Sequence, residues 1–270
     1  MKTIAFIDHD IDNWHAKTFA RLIAESNSGF RLGGICATRK ENAREWALRN
    51  DVPCVDSIPE LEGLADYIMV LAPSNPETHM DLCRAAFQLG KPTYVDKTFA
   101  PDEATALSIF EMADAAGVPV QTSSVLRYTK VQDFCHSSPE NKPDFVDTWG
   151  GGSNFQEYII HQVEMVVSLL GPDFEGLRIE ELAHLTQIDL AFGGHRAASI
   201  HMTAPSEIPF LAVTSNPLMT RSFVVDEGRL FVSGLNAILD FFSKGHAVID
   251  RKETLTVMRI LDELKKIRNR

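Results

Sequence analysis

The sequence predicts a two-domain α/β protein: an N-terminal Rossmann-type parallel sheet and a C-terminal α+β domain with a mostly antiparallel sheet. Two observations carry that prediction. Up to residue 122, short apolar strand-like runs alternate with amphipathic helical stretches, which is the order of βαβ units. Beyond the polar, Pro-containing connector SSPENKPD (137–144), strand-like runs follow one another with few helices between them. The expected domains are residues 1–122 and 123–270.

The first strand is apolar from Ile4 to Ile7 and turns into a helix whose Ala16, Phe19, Ala20 and Ile23 recur at helical spacing. FRLGGICAT (30–38) reads as a strand and KENAREWALRN (40–50) as a helix. DYIMVLAPS (66–74) is apolar on both faces, as a central parallel strand is. A helix in 76–90, a strand in 92–97, a helix in 102–117 and a strand in 118–123 complete the pattern, with Gly90 and Gly117 as expected C-caps. After the connector, FVDTWGG (145–151) is a strand and NFQEYIIHQVEMVVSLLG (154–171) a helix. RIEELAHL, HRAASIHMTA, PFLAVTS and RSFVVDEGRLFVSG read as strands, and DEG at 226–228 as a hairpin turn. The amphipathic tail from Lys252 is a helix, expected to cover the sheet or to pack back on the first domain.

Apolar residues make up 44% and charged residues 23% of 270, the balance of a globular protein with room for two cores. No apolar run approaches the roughly 20 residues that span a bilayer, and no secretory leader pattern opens the chain. Four dispersed cysteines, Cys36, Cys54, Cys83 and Cys135, read as free thiols, so a cytoplasmic protein with no membrane partner is expected. A net charge of −11 opposes a nucleic-acid surface.

Ligands of parallel sheets bind at the carboxyl ends of the strands. The second strand ends in Ala37-Thr38-Arg39-Lys40, where an NAD site usually carries an acid; a small residue followed by Arg suits the 2′-phosphate of NADP. The strand at 66–74 ends in Pro73-Ser74-Asn75, followed by His79, Gly90-Lys91 and Asp96-Lys97-Thr98. In these residues the sequence resembles the Gfo/Idh/MocA family of NAD(P)-dependent sugar and polyol oxidoreductases. Thr98 stands where the family has proline. The resemblance implies cofactor contacts at Pro73, Asn75, His79, Asp96 and Lys97, beside Thr38 and Arg39. It also implies an acid and a His four apart on the first helix of the second domain, here Glu157 and His161, which share one helical face.

The family's first turn reads Gly-x-Gly-x-x-Gly-x-x-His. Aligned on His15, the glycine positions hold Ile7, His9 and Asp12, and the turn is acidic at Asp8, Asp10 and Asp12. Asp12 is a good N-cap, and it and Asn13 are the positions left to meet a cofactor. A carboxylate about 4 Å from a phosphate charge costs on the order of 4 kcal/mol at an effective dielectric near 20, up to roughly a thousandfold in affinity. The acids are therefore expected to face solvent; their order matches no metal-binding loop with a known mechanism.

The expected function is hydride transfer between NADP or NAD, with NADP slightly favoured, and a carbinol carbon of a sugar, polyol or related small molecule. His161 is the expected base, Lys97 the holder of the substrate oxygen, and Glu157 the residue that orients the base or binds a hydroxyl. His195 and His201 are read as ordinary sheet residues on one face, Gly150 to Gly152 as a flexible turn and Trp149 as core. The resemblance implies a homodimer or homotetramer through the second-domain sheet. The alternative is an inactive relative that keeps the fold as a ligand-binding or regulatory subunit.

Overall fold

The structure, a computed structural model, describes residues 1–206 and 208–268. It divides into two compact units, Met1–Ser123 with Leu235–Ile249, and Ser124–Gly234 with Asp250–Arg270.

The first unit runs β1 (Lys2–Asp8), α1 (Trp14–Glu25), β2 (Phe30–Ala37), α2 (Ala43–Arg49), β3 (Tyr67–Val70), α3 (His79–Phe87), β4 (Thr93–Val95), α4 (Glu103–Ala116) and β5 (Val120–Thr122). Its sheet has the order β2-β1-β3-β4-β5, and every pairing is parallel. Ile4 to Ile7 of β1 are fully buried, as a strand covered on both faces must be. Ile7 pairs with Cys36 on one side and Val70 on the other, so it belongs to the strand and not to the turn. Gly117 caps α4 in the left-handed region (φ 65°). Gly90 has the same φ but lies beyond the end of α3, whose cap is Gln88, and shapes the turn into β4.

The second unit holds α5 (Lys130–His136), β6 (Phe145–Gly151), α6 (Phe155–Leu170), β7 (Phe174–Glu181), β8 (Thr186–Phe192), β9 (Arg196–Thr203), β10 (Leu211–Asn216), β11 (Met219–Val224), the first part of α7 (Glu227–Lys244) and α8 (Arg251–Arg268). The sheet order is β11-β10-β6-β9-β8-β7; among the described residues the β6–β9 pair is parallel and the other pairs are antiparallel. One face of this sheet, with Val146, Ile188, Leu190 and Ile200, is covered by Ile159, Val163 and Val167 of α6 and by Val257, Ile260 and Leu264 of α8. Arg127 ties the helices together through Glu164 at 3.0 Å and through Glu253.

Three readings of the sequence are corrected. Residues 226–228 are not a hairpin turn: Glu227 starts a helix, in which Leu235, Ile238, Leu239 and Phe242 are buried at helical spacing. Residues 235–249, not the C-terminal helix, join the first unit, where Phe242 stacks on Tyr67 at 4.8 Å and the Val248 amide donates to Gln121 at 2.9 Å. Gly150 to Gly152 are sites of close approach: a Cβ on Gly152 would lie 2.1 Å from the Tyr158 ring, and one on Gly151 2.1 Å from the Ser206 carbonyl.

Candidate functional site

At the carboxyl end of the first sheet the chain collects His15, Asp96 and Lys97. Asp96 follows β4 and is 2% exposed. Its Oδ2 lies 2.5 Å from Nδ1 of His15, in the first turn of α1, and its Oδ1 accepts from the Lys97 amide at 2.8 Å. Two strand-helix units separated by more than eighty residues in sequence thereby fix one short segment, and Lys97 is held there at 8% exposure. The Lys97–Thr98 peptide is cis.

The acids of the first turn do not all face solvent. Asp8 is 1% exposed, its Oδ2 accepting from Asn13 Nδ2 at 2.8 Å and its Oδ1 from the Asp10 amide at 3.1 Å. The backbone at His9 and Ala72 also hydrogen-bonds to this carboxyl. Burial pushes the Asp8 carboxyl up to about 7 despite those bonds. Asp10 faces Arg39 at 3.5 Å, and Asp12 pairs with Lys17 at 2.8 Å. Asp12 is not the cap of α1; Asn13 is, with Oδ1 accepting from the Ala16 amide at 2.9 Å.

The ends of β2 and β3 flank this turn. Thr38 and Arg39 donate their amides to the carbonyls of Asp8 (3.0 Å) and His9 (2.8 Å), which sets the Arg39 side chain on the rim. Pro73 and Asn75 are half-buried after β3, and the Asn75 side chain donates to Glu77 at 3.0 Å. His79 is corrected: it is fully buried, its ring between the carbonyls of Leu71 (2.7 Å from Nε2) and Phe99 (3.0 Å from Nδ1). It holds two loops in place and presents nothing to a ligand.

In the second unit α6 begins with Asn154, whose Oδ1 accepts from the Glu157 amide at 2.9 Å. Glu157 and His161 are both half-buried one turn apart. Ser124 Oγ, fully buried, lies 2.7 Å from His161 Nδ1 and also accepts from the Leu126 amide at 3.2 Å. The sequence reading missed Ser124, since nothing in its local pattern ties it to a helix 37 residues on. His195 and His201 do not share a strand: His195 sits in the β8–β9 turn with φ 61°, and His201 is in β9. Trp149 is not core; it stacks on His201 at 4.2 Å on the sheet face turned away from α6, where His201 Nε2 is 3.2 Å from Asp147.

Asp8 decides how these residues fit a dinucleotide. A pyrophosphate at such a strand-turn-helix junction draws on turn amides and the helix N-terminus. Asp8 takes one of those amides, and as a carboxylate it would repel a phosphate. As a neutral acid it carries no charge, and at about 7 that form is well populated at neutral pH. In that form the residues fit the group.

Residues 13–124 match the model of an oxidoreductase family with an NAD-binding Rossmann fold, Gfo/Idh/MocA. Curated proteins gave no sequence match. Solved structures with the same fold include UDP-N-acetylglucosamine 3-dehydrogenase GnnA from Acidithiobacillus ferrooxidans, at 13% identity and TM-score 0.79, covering 98% of each chain. An Agrobacterium radiobacter oxidoreductase in complex with NAD+, L-tartaric acid and magnesium matches at 12% and 0.79, covering 100% of this chain and 97% of that one. Biliverdin reductase with biliverdin and NADP+ from Synechocystis sp. PCC 6803 matches at 13% and 0.71, covering 98% of each. Among the described residues, no helix is long and apolar enough to cross a membrane.

Proposed function

We propose that the chain is an NAD(P)-dependent oxidoreductase acting on a CH–OH group of a sugar, polyol or related hydroxy compound, a reading supported by the match of residues 13–124 to the Gfo/Idh/MocA oxidoreductase family. The observation that carries this reading is the His15–Asp96–Lys97 arrangement, which buries a lysine at the strand end where a ligand of a parallel sheet is met. The nicotinamide, when bound, supplies or accepts the hydride. Thr38 and Arg39 hold the adenosine end, with Arg39 favouring a 2′-phosphate, and Asn13, Pro73, Asn75 and Asp96 line the path to Lys97. Asp12 contributes through its ion pairs with Lys17 and Arg49.

Lys97 binds the reacting oxygen and stabilises alkoxide charge on it. His161 takes the hydroxyl proton in oxidation and returns it in reduction. With Nδ1 engaged by Ser124, Nε2 is the nitrogen that exchanges this proton. Glu157, one turn earlier on α6, binds a neighbouring substrate hydroxyl. GnnA's name supports a sugar substrate, and the fold occurs in solved structures with NAD+ and with NADP+. A homo-oligomer formed through the outer face of the second sheet accounts for Phe145, Leu211 and Val224, apolar residues exposed there. A cytoplasmic setting suits the four free cysteines.

Titration with NADPH and NADH, followed by nicotinamide fluorescence, tests the reading. Binding of one or both at micromolar concentration is expected, and Lys97→Ala should abolish turnover of a sugar or polyol while leaving that affinity within a few-fold. Absence of binding at millimolar concentration across the pH range would replace the enzyme with a ligand-binding or regulatory relative.

A further inference from the structure

We infer that this chain takes up a proton at Asp8 when it binds its dinucleotide, so that affinity for the cofactor rises as pH falls. The inference rests on the cofactor-binding reading above and concerns Asp8, to which that reading gives no role.

Three features of the site carry it. Asp8 ends β1, the strand that feeds the phosphate-binding turn of a Rossmann domain, and its carboxyl draws on the Asp10 amide inside that turn. It is 1% exposed, and among the described residues no cation pairs with it. The other acids of the turn are balanced by cations, Asp10 by Arg39 and Asp12 by Lys17. A pyrophosphate arriving beside Asp8 adds negative charge near a group that is already poorly solvated. The cheapest response is for the carboxylate to bind a proton from solvent and become a neutral acid. Burial has brought Asp8 close to that point before any ligand arrives.

Other titratable or charged groups lie on the elements next to Asp8, and their titration must be separated from its own. They are His9 in the turn, His15 on α1 against Asp96, Arg39 after β2, and Glu77 and His79 after β3. A histidine gaining a proton would also strengthen phosphate binding at low pH. Asp8→Asn keeps the shape of the side chain and removes the titration, which makes it the discriminating variant.

The experiment measures NADPH and NADH dissociation constants from pH 6 to 9 by fluorescence, with calorimetry at pH 8 in buffers of differing ionisation enthalpy. The wild-type protein is expected to lose about tenfold in affinity per pH unit above 7 for both dinucleotides and to take up close to one proton on binding. Asp8→Asn should bind with little dependence on pH and take up none. Equal pH dependence in the two proteins would move the proton to a histidine and overturn the inference, as would a flat wild-type profile without proton uptake; both leave the proposed function standing. Binding by Asp8→Asn where the wild type binds at no pH would make Asp8 a fixed obstacle and overturn both the inference and the enzyme. Failure of both proteins to bind would overturn both readings. If Asp8→Asn does not fold, Asp8→Ser removes the same titration, and the same outcomes for it support or overturn the inference.

Discussion

At Asp8 the burial that holds a proton on the carboxyl also makes the fold sensitive to pH. The group's value is raised from 3.8 to about 7 in the folded protein. Between those values the native state binds more protons than the unfolded chain, so stability falls as pH rises through that window and levels off above 7. The loss is at most about 4 kcal/mol. Urea midpoints of wild type and Asp8→Asn at pH 5 and pH 8 should therefore converge at the lower pH and separate at the higher, with the variant ahead. Ser124 acts at the same scale. Ser124→Ala removes the hydroxyl that fixes the His161 ring, and kcat is expected to fall about tenfold or more with KM little changed, while Ser124→Thr restores part of it. A loss confined to folding would leave kcat per folded molecule unaltered. Neither residue was legible from its neighbours in sequence: the direction in which an aspartate of a turn points is decided by what the strand beside it leaves open.

Secondary-structure elements were far more legible than side-chain directions. The alternation of apolar strands and amphipathic helices reproduced every strand of the parallel sheet, because a strand buried on both faces must be apolar along its length. α7 was lost to the Asp226-Glu227-Gly228 signal, although Leu235, Ile238, Leu239 and Phe242 further along repeat at helical spacing. α5 was also missed, despite a capping box in which Thr129 and Gln132 satisfy each other's backbone groups. The join between β6 and α6 shows what a glycine run can mean besides flexibility. Gly152→Ala would drive a methyl against the Tyr158 ring, and a loss of about 1–3 kcal/mol in unfolding free energy is expected from denaturant titration. Unchanged stability would return the run to the status of a loose turn.

Across the whole molecule, each unit builds its own core, yet neither is a continuous piece of chain. The first unit needs residues 235–249, whose Phe241 and Phe242 are buried and whose Val248 amide is bonded to Gln121. A fragment of residues 1–122 should consequently expose apolar surface around Tyr67 and aggregate or bind a hydrophobic dye; a monomeric fragment with sharp cooperative melting would contradict this. The same threading governs the order of events during synthesis. Domains generally fold as units while the chain emerges, the N-terminal one first. Here the five-stranded sheet leaves the ribosome long before the helix that seals it. The nascent sheet must wait, unsealed, through translation of the second unit's strands, and in that interval a chaperone holding its open side would matter most.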